Sequence, residues 1–331
     1  MKKNVSIVLA VSMLAVCVTG CKTTTRKQLK PVVLNEGAHS IFYAPQYAAI
    51  ELWYFEDEGL DLTLVNGAGA DKVMTALISG DADIGFMGSE ASIYVYQQGS
   101  DDYAVNFAQL TQRAGNFLVG REAQDNFTWA DLKGKKVLGG RAGGMPEMVF
   151  EYILKKNGID PAADLTIDQS FNFGLTAAAF TSNDADYTVE FEPFATGLEK
   201  EGNGHVIASL GVDSGYVPYT AYSVKKSYLE KNPETIQKFT NAIQKGLEYV
   251  NTHSAEEIAK VIQPQFKETD EDTIATIVGR YKDQDTWKGD TVFEKDSFEL
   301  LENILEEAGE LNERVPYDKL VTTEFSQEAA K

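Results

Sequence analysis

One stretch of this chain is written twice. Ala76-Leu77-Ile78-Ser79-Gly80-Asp81-Ala82-Asp83-Ile84-Gly85-Phe86 is echoed by Ala179-Phe180-Thr181-Ser182-Asn183-Asp184-Ala185-Asp186-Tyr187-Thr188-Val189. Each copy reads as a helix end, a turn residue tolerant of positive φ (Gly80, Asn183), an Asp-Ala-Asp triplet and a strand. The surroundings repeat the same grammar. Strands are expected at Pro31–Asn35, Leu60–Val65 and Ile84–Met87, with helices over 42–58 and 70–79 between them. After Gln112 the pattern restarts. A strand is expected at Asn116–Gly120, a short helix from Trp129 leading into a further strand, a helix over 146–157 and a strand at Thr220–Val224. Strand-helix alternation of this kind builds mostly parallel sheets with helices on both faces. Two such units in one chain predict two α/β lobes with a cleft between them, where strand ends of open α/β sheets place ligands. The expected division is 31–119 plus 221–331 for the first lobe and 120–220 for the second. The chain is expected to cross near Phe117–Gly120 and Thr220–Val224. From Lys226 onward the pattern is helical, punctuated by Pro233, His253, Pro264 and Thr269, and the helices after about Tyr228 are expected to pack mainly on the first lobe.

The N-terminus carries a different signal. Lys2 and Lys3 precede the apolar run Val5–Val16, and Val18-Thr19-Gly20-Cys21 closes it. That is the charge, apolar and small-residue order of a secretory signal, too short for a membrane-spanning helix. The closing tetrapeptide resembles the lipobox of bacterial lipoproteins, which implies that residues 1–20 are a signal peptide and that Cys21 is lipidated as the first mature residue. Residues 21–30 then read as a tether. Its Lys22, Arg26, Lys27 and Lys30 either favour a membrane surface or belong to a solvated linker. The chain has two cysteines, Cys17 and Cys21, so the mature form has no thiol pair for a disulfide and no cysteine nucleophile or Cys-ligated metal. Its three histidines, His39, His205 and His253, are far apart and form no metal-ligand spacing. A formal net charge of −20 repels nucleic acid.

The run "YFEDEGLDLTLV", the segment "ALISGDADIGFMGSEAS", "DLKGKKV" with the Gly-rich loop after it, "FEPFA" and "SYLEKNPETIQKF" stand in one order along residues 31–260. Together they resemble the nitrate-, sulfonate-, taurine- and thiamine-precursor-binding group of ABC-importer receptors. The resemblance implies a type II, two-lobed periplasmic-binding-protein-like fold. It also implies a monomeric receptor, anchored on the extracytoplasmic face of the cell membrane, that closes on a small molecule and hands it to a permease with an ATPase. It implies no cofactor and no metal. The same fold group includes a pyrimidine synthase with a cysteine-rich iron motif, for which this chain lacks the ligands.

Four loops are expected at the cleft. The first offers Glu36, His39, Phe42 and Tyr43, of which His39 is either a ligand contact or an exposed loop residue and the two aromatics either face the cleft or pack their helix. The second, Met87-Gly88-Ser89-Glu90, precedes a helix whose free N–H groups suit an acceptor, while Glu90 is either a ligand carboxylate or a first-turn residue favoured by the helix dipole. The third, Gly139 to Glu147, holds Arg141, Gly143, Gly144 and Met145 on a backbone open to close approach; it matches neither a Walker loop nor GxGxxG. The fourth carries Glu190 and Glu192, ahead of Pro193. The glutamates Glu36, Glu90, Glu147, Glu190 and Glu192, with Arg141 as the one clear cation, suit a neutral or cationic ligand better than an anion. Phe42, Tyr43, Phe86, Tyr187 and Phe191 suit a planar ring. The leaning is toward a planar nitrogenous nutrient such as a thiamine-type pyrimidine, although the first loop lacks the Trp-Thr-Pro-Asn-Thr-Asn-His signature of pyrimidine binders, and an organic anion stays open.

Overall fold

The computed structural model describes residues 29–171 and 174–331. Cys17, Cys21 and all of the expected tether but Leu29 and Lys30 lie outside them. Lys30 is no tether residue. It starts a strand, and its Nζ donates to Asn232 Oδ1 at 3.0 Å and Thr235 Oγ1 at 2.6 Å.

Among the described residues, ten strands form two sheets. They are β1 (Lys30–Glu36), β2 (Leu60–Asn66), β3 (Ile84–Gly88), β4 (Ala104–Thr111), β5 (Asn116–Gly120), β6 (Lys136–Leu138), β7 (Thr166–Asp168), β8 (Tyr187–Phe191), β9 (His205–Ser209) and β10 (Thr220–Lys225). The first sheet runs β2-β1-β3-β10-β4 and the second β7-β6-β8-β5-β9. The expected two-lobed α/β architecture is therefore present, and the lobes share one strand order. In each sheet four strands point one way and one points the other, β10 in the first and β5 in the second. The reversed strand is the one that arrives from the opposite lobe. Entering at the cleft edge, it must run away from the edge toward which its neighbours run.

The sequence echo occupies the same place in both sheets. Its strands, β3 and β8, are the central ones. The last Asp of each triplet makes equivalent bonds: Asp83 accepts the Val33 N–H through Oδ2 at 2.9 Å and donates its own N–H to Val33 O at 3.0 Å. Asp186 does the same with Lys136, both at 2.9 Å. A carboxylate here extends the parallel ladder by one pair where the strand has not yet begun.

Several boundaries differ from expectation. The helix expected over 42–58 is broken into Ala44–Glu51 and Tyr54–Asp57, because Trp53 between them sits in the left-handed region with φ 62°. Strands β4, β7 and β9 have no strong alternation in sequence and add to the expected set. The crossing expected at Phe117–Gly120 comes earlier, at 112–115, since Asn116–Gly120 is already a ladder-bonded strand of the second sheet; the return is at 215–219. The two crossings touch, Val217 N–H donating to Gln112 O at 2.9 Å. The C-terminal helices do not serve the first lobe alone. Pro233–Thr252 packs on Ala44–Glu51, but Arg280, on the helix Glu271–Asp283, forms ion pairs with Glu192 and Glu199 of the second lobe, and Lys155 of the second lobe donates to Glu307 O at 2.7 Å.

Phe42 is core rather than cleft wall. It is 1% exposed, its ring lies 5.3–5.9 Å from those of Tyr43, Phe191, Tyr219 and Tyr281, and it covers Gly115 in the first crossing. A Cβ on Gly115 would overlap that ring, so the glycine is required by close approach. Phe42→Ala should cost about 3–5 kcal/mol in urea denaturation; a loss under about 1 kcal/mol would remove Phe42 from this role.

Candidate functional site

Between the lobes lies a cavity of about 420 Å³. The first lobe supplies the loops after β1, β2 and β3. The second supplies the loop after β6, the residues before the helix Thr176–Ser182, and the end of β8. Tyr219 and Thr220 close it where the return crossing joins β10.

The expected residues separate into three groups. His39, Tyr43, Gly88, Glu90, Arg141, Gly144, Met145, Glu190 and Glu192 line the cavity. Glu36, Ser89 and Gly143 stand behind its wall. Glu36 is fully buried and engaged on its own lobe, accepting from Gln46 Nε2 at 2.7 Å and Tyr47 OH at 2.9 Å and meeting His39 Nδ1 at 2.7 Å. Ser89 donates to the Pro218 carbonyl, tying the loop after β3 to the return crossing. Gly143 donates its N–H to Glu147 Oε2 at 3.1 Å, which orients the Gly-rich loop. Phe42, with Phe86 and Tyr187 among the expected ring partners, is buried in the core. Phe86 stacks on Tyr222 with centroids 4.2 Å apart. Glu147 is also off the wall, and burial beside Glu151 pushes it up to about 8.

The carboxylates of the wall differ in how they are held. Glu192 accepts from Thr196 N–H and Oγ1–H, both at 2.9 Å, and from Arg280 Nη1 at 2.9 Å, so its charge is balanced within the protein. Its backbone carbonyl accepts from Ser40 Oγ–H at 2.8 Å, a direct contact between loops of the two lobes. Glu190 accepts from Thr188 Oγ1–H at 2.6 Å and Thr176 Oγ1–H at 2.9 Å, with no cation; burial pushes it up to about 7. Glu90 is 3% exposed and burial pushes it up to about 7, while its Oε2 has no hydrogen-bond partner among the described residues. The positive groups sit at the mouth. Lys72 and Arg141 are exposed, and His39 donates Nε2–H to Gln265 O at 2.9 Å while its Nδ1 faces Glu36. The Glu36 hydrogen bond holds the His39 imidazole above its ordinary value. Arg141 is thus not the one cation of the cleft.

A family model described as "NMT1/THI5 like" matches residues 41–257. The chain belongs to that family. It is 46% identical over 299 residues to "Putative binding protein YtlA" of Bacillus subtilis (strain 168), covering 90% of each chain. It is 26% identical over 229 residues to 4-amino-5-hydroxymethyl-2-methylpyrimidine phosphate synthase THI11 of Saccharomyces cerevisiae, covering 63% of each. Among solved structures, the alkanesulfonate-binding protein SsuA of Xanthomonas axonopodis pv. citri superposes with a TM-score of 0.71 at 14% identity, covering 89% of this chain and 99% of that one. That likeness is one of fold, the periplasmic-binding-protein architecture.

In this NMT1/THI5-like protein, part of the wall escapes a reading of the sequence. Asn66 ends β2, Ala68, Gly69, Asp71 and Lys72 follow it, and Tyr219 and Thr220 precede or open β10. The rule that selects the loops after β1 and β3 applies equally to 66–69, whose Asn-Gly-Ala-Gly composition marks a turn. No comparable signal marks Tyr219, which is placed by the reversed strand.

Burial makes Glu190 a pH-dependent contributor to stability. Its folded state holds the proton more tightly than the ordinary carboxyl value of 4.5, so the contribution is full below about 4.5 and is lost as pH rises through about 7. The difference is on the order of 3 kcal/mol. Thermal melts of the ligand-free protein between about pH 5 and 8 should fall less steeply in Glu190→Gln than in the native chain; parallel slopes would show that Glu190 is ionised throughout.

Proposed function

We propose that this protein is the extracytoplasmic receptor of an ABC importer, capturing a small planar nitrogenous nutrient such as a thiamine-type pyrimidine between its lobes. The observation that carries this reading is the distribution of charge in the cavity. Of the buried polar side chains of the wall, Glu90, Glu190 and Glu192 are carboxyls, beside the hydroxyls of Ser40 and Thr220, and the cations Lys72 and Arg141 are exposed. Tyr43, Phe191, Phe194 and Tyr219 line the same space, aromatic groups of the kind that favour a planar ring. About 420 Å³ suits a small molecule. A sulfonate or nitrate would meet three buried carboxyls in a site where it needs donors.

An enzyme of the pyrimidine-synthase kind is the competing reading that the relative THI11 raises. Cys17 and Cys21 are the only cysteines of the sequence, too few for a cysteine-rich iron motif. The more extensive likeness, over 90% of the chain, is to a protein named for binding.

The mechanism that goes with the reading is lobe closure. Two short crossings, 112–115 and 215–219, join the sheets, and a ligand touching both walls favours the closed arrangement by its additional contacts there. Calorimetry should show 4-amino-5-hydroxymethyl-2-methylpyrimidine binding and taurine not; tight taurine binding without the pyrimidine would overturn the ligand class. Small-angle scattering should show compaction on saturation, and an unchanged profile would count against closure. The lipobox reading adds that Cys21→Ser leaves ligand affinity intact and releases the protein from the membrane fraction; continued membrane retention of that variant would refute the anchor.

A further inference from the structure

The Glu90 carboxyl is a buried group with one oxygen left over. It is the first residue of the helix Glu90–Gln97, just past β3, the central strand of the first sheet, and the residue is 3% exposed. Oε2 is itself shut off from solvent and finds no partner among the described residues, while the residue Glu90 lines the cavity. An unsatisfied buried polar oxygen is destabilising until something donates to it. The local sequence is built to keep it there. Gly88 lies directly beneath, and the atoms nearest to a Cβ placed on Gly88 are all three of the Glu90 carboxyl group, so the missing side chain is the space the carboxyl occupies.

Burial is the strongest influence on this group and disfavours the carboxylate, pushing it up to about 7; the backbone N–H groups of Glu90 and Met145 and the guanidinium of Arg141 favour the charge more weakly. A ligand donor on the carboxyl adds to these weaker influences and replaces lost solvation, so it favours the charged form. An anion has the reverse effect, adding a second negative charge to a buried one.

We propose that Glu90 is the specificity-determining residue of the cleft: its carboxyl, whose Oε2 has no partner within the described protein, accepts from an N–H donor of the ligand, an amino or amidinium group, and it excludes sulfonate- and nitrate-type anions. The inference rests on the receptor reading above and deepens it by naming the atom that discriminates. Glu192 does not compete for this role, because Arg280 and Thr196 already occupy its carboxylate.

The test uses the full chain, native and as Glu90→Gln and Gly88→Ala, titrated calorimetrically with four probes: 4-amino-5-hydroxymethyl-2-methylpyrimidine, benzamidine, taurine and nitrate. The native protein should bind at least one of the first two. Glu90→Gln should weaken that binding by roughly ten-fold or more, the scale of a lost charge-assisted hydrogen bond, and relax the exclusion of taurine. Gly88→Ala should weaken it in the same direction with the glutamate intact, by displacing the carboxyl, and it serves alone where Glu90→Gln fails to fold. Pyrimidine binding that is unchanged in Glu90→Gln would overturn the inference and leave the pyrimidine reading standing. Benzamidine binding that depends on Glu90, with no pyrimidine binding, would support the inference and defeat that reading. Native binding of taurine or nitrate alone, or of none of the four, would overturn both.

Discussion

The ladder that inserts β10 between β3 and β4 is the interaction on which the molecule depends. Without it β4 has no neighbour in the first sheet, and the return crossing has nowhere to end. Thr220 opens the strand, faces the cavity, and pairs its hydroxyl with that of Thr111 at 2.6 Å, where the outward crossing begins. One pair of side chains thus closes the first sheet and brings the two interlobe connections together. β5 has the mirrored position in the second sheet, between β8 and β9. The exchange of one strand each way explains why both reversed strands start at the cleft edge, and why the cavity is walled by loops of both lobes.

The electrostatics of the cleft follow from what each carboxylate meets behind the wall. Glu36 and Glu192 have opposite-charge or multiple donor partners supplied by the fold: His39, Gln46 and Tyr47 for the first, Arg280 and Thr196 for the second. Glu190 has two hydroxyl donors and no cation. Glu90 retains an open oxygen. Buried charge is tolerated in proportion to its hydrogen bonding. The order therefore runs from carboxylates that complete the protein to one left for something the protein does not contain. The two best-satisfied groups also tie distant segments in place, His39 through Gln265 and Arg280 through both Glu192 and Glu199.

Much of this is readable in advance where chemistry is local. The Asp-Ala-Asp echo locates the central strand of each sheet, because turn, ladder-extending aspartate and strand act within one short stretch. Glycine-bounded segments such as Ala70–Ser79 and Asn116–Gly120 fall where the sequence puts them, to the residue. The expectation of one helix over 42–58 fails because its apolar spacing continues through Trp53, whose left-handed backbone nothing in the periodicity reveals. β4 is buried at every position, with β10 on one side and Gln109 bonded to Thr291 on the other, so no alternation is available to mark it.

Sequence by itself determined the two-lobed plan, the family, and a cleft rimmed by glutamates, since each depends on order along the chain and on residue type. Tertiary structure alone decided which glutamates are free. Glu36, Glu90 and Glu192 are indistinguishable as letters. Their roles differ because His39 with Tyr47, an empty Gly88 and Arg280 stand beside them. Arg280 lies 88 residues from Glu192. Phe42 passed from wall to core for the same reason: Gly115, Tyr219 and Tyr281, which enclose it, reach it through strand crossing and helix packing and not through neighbourhood in the chain.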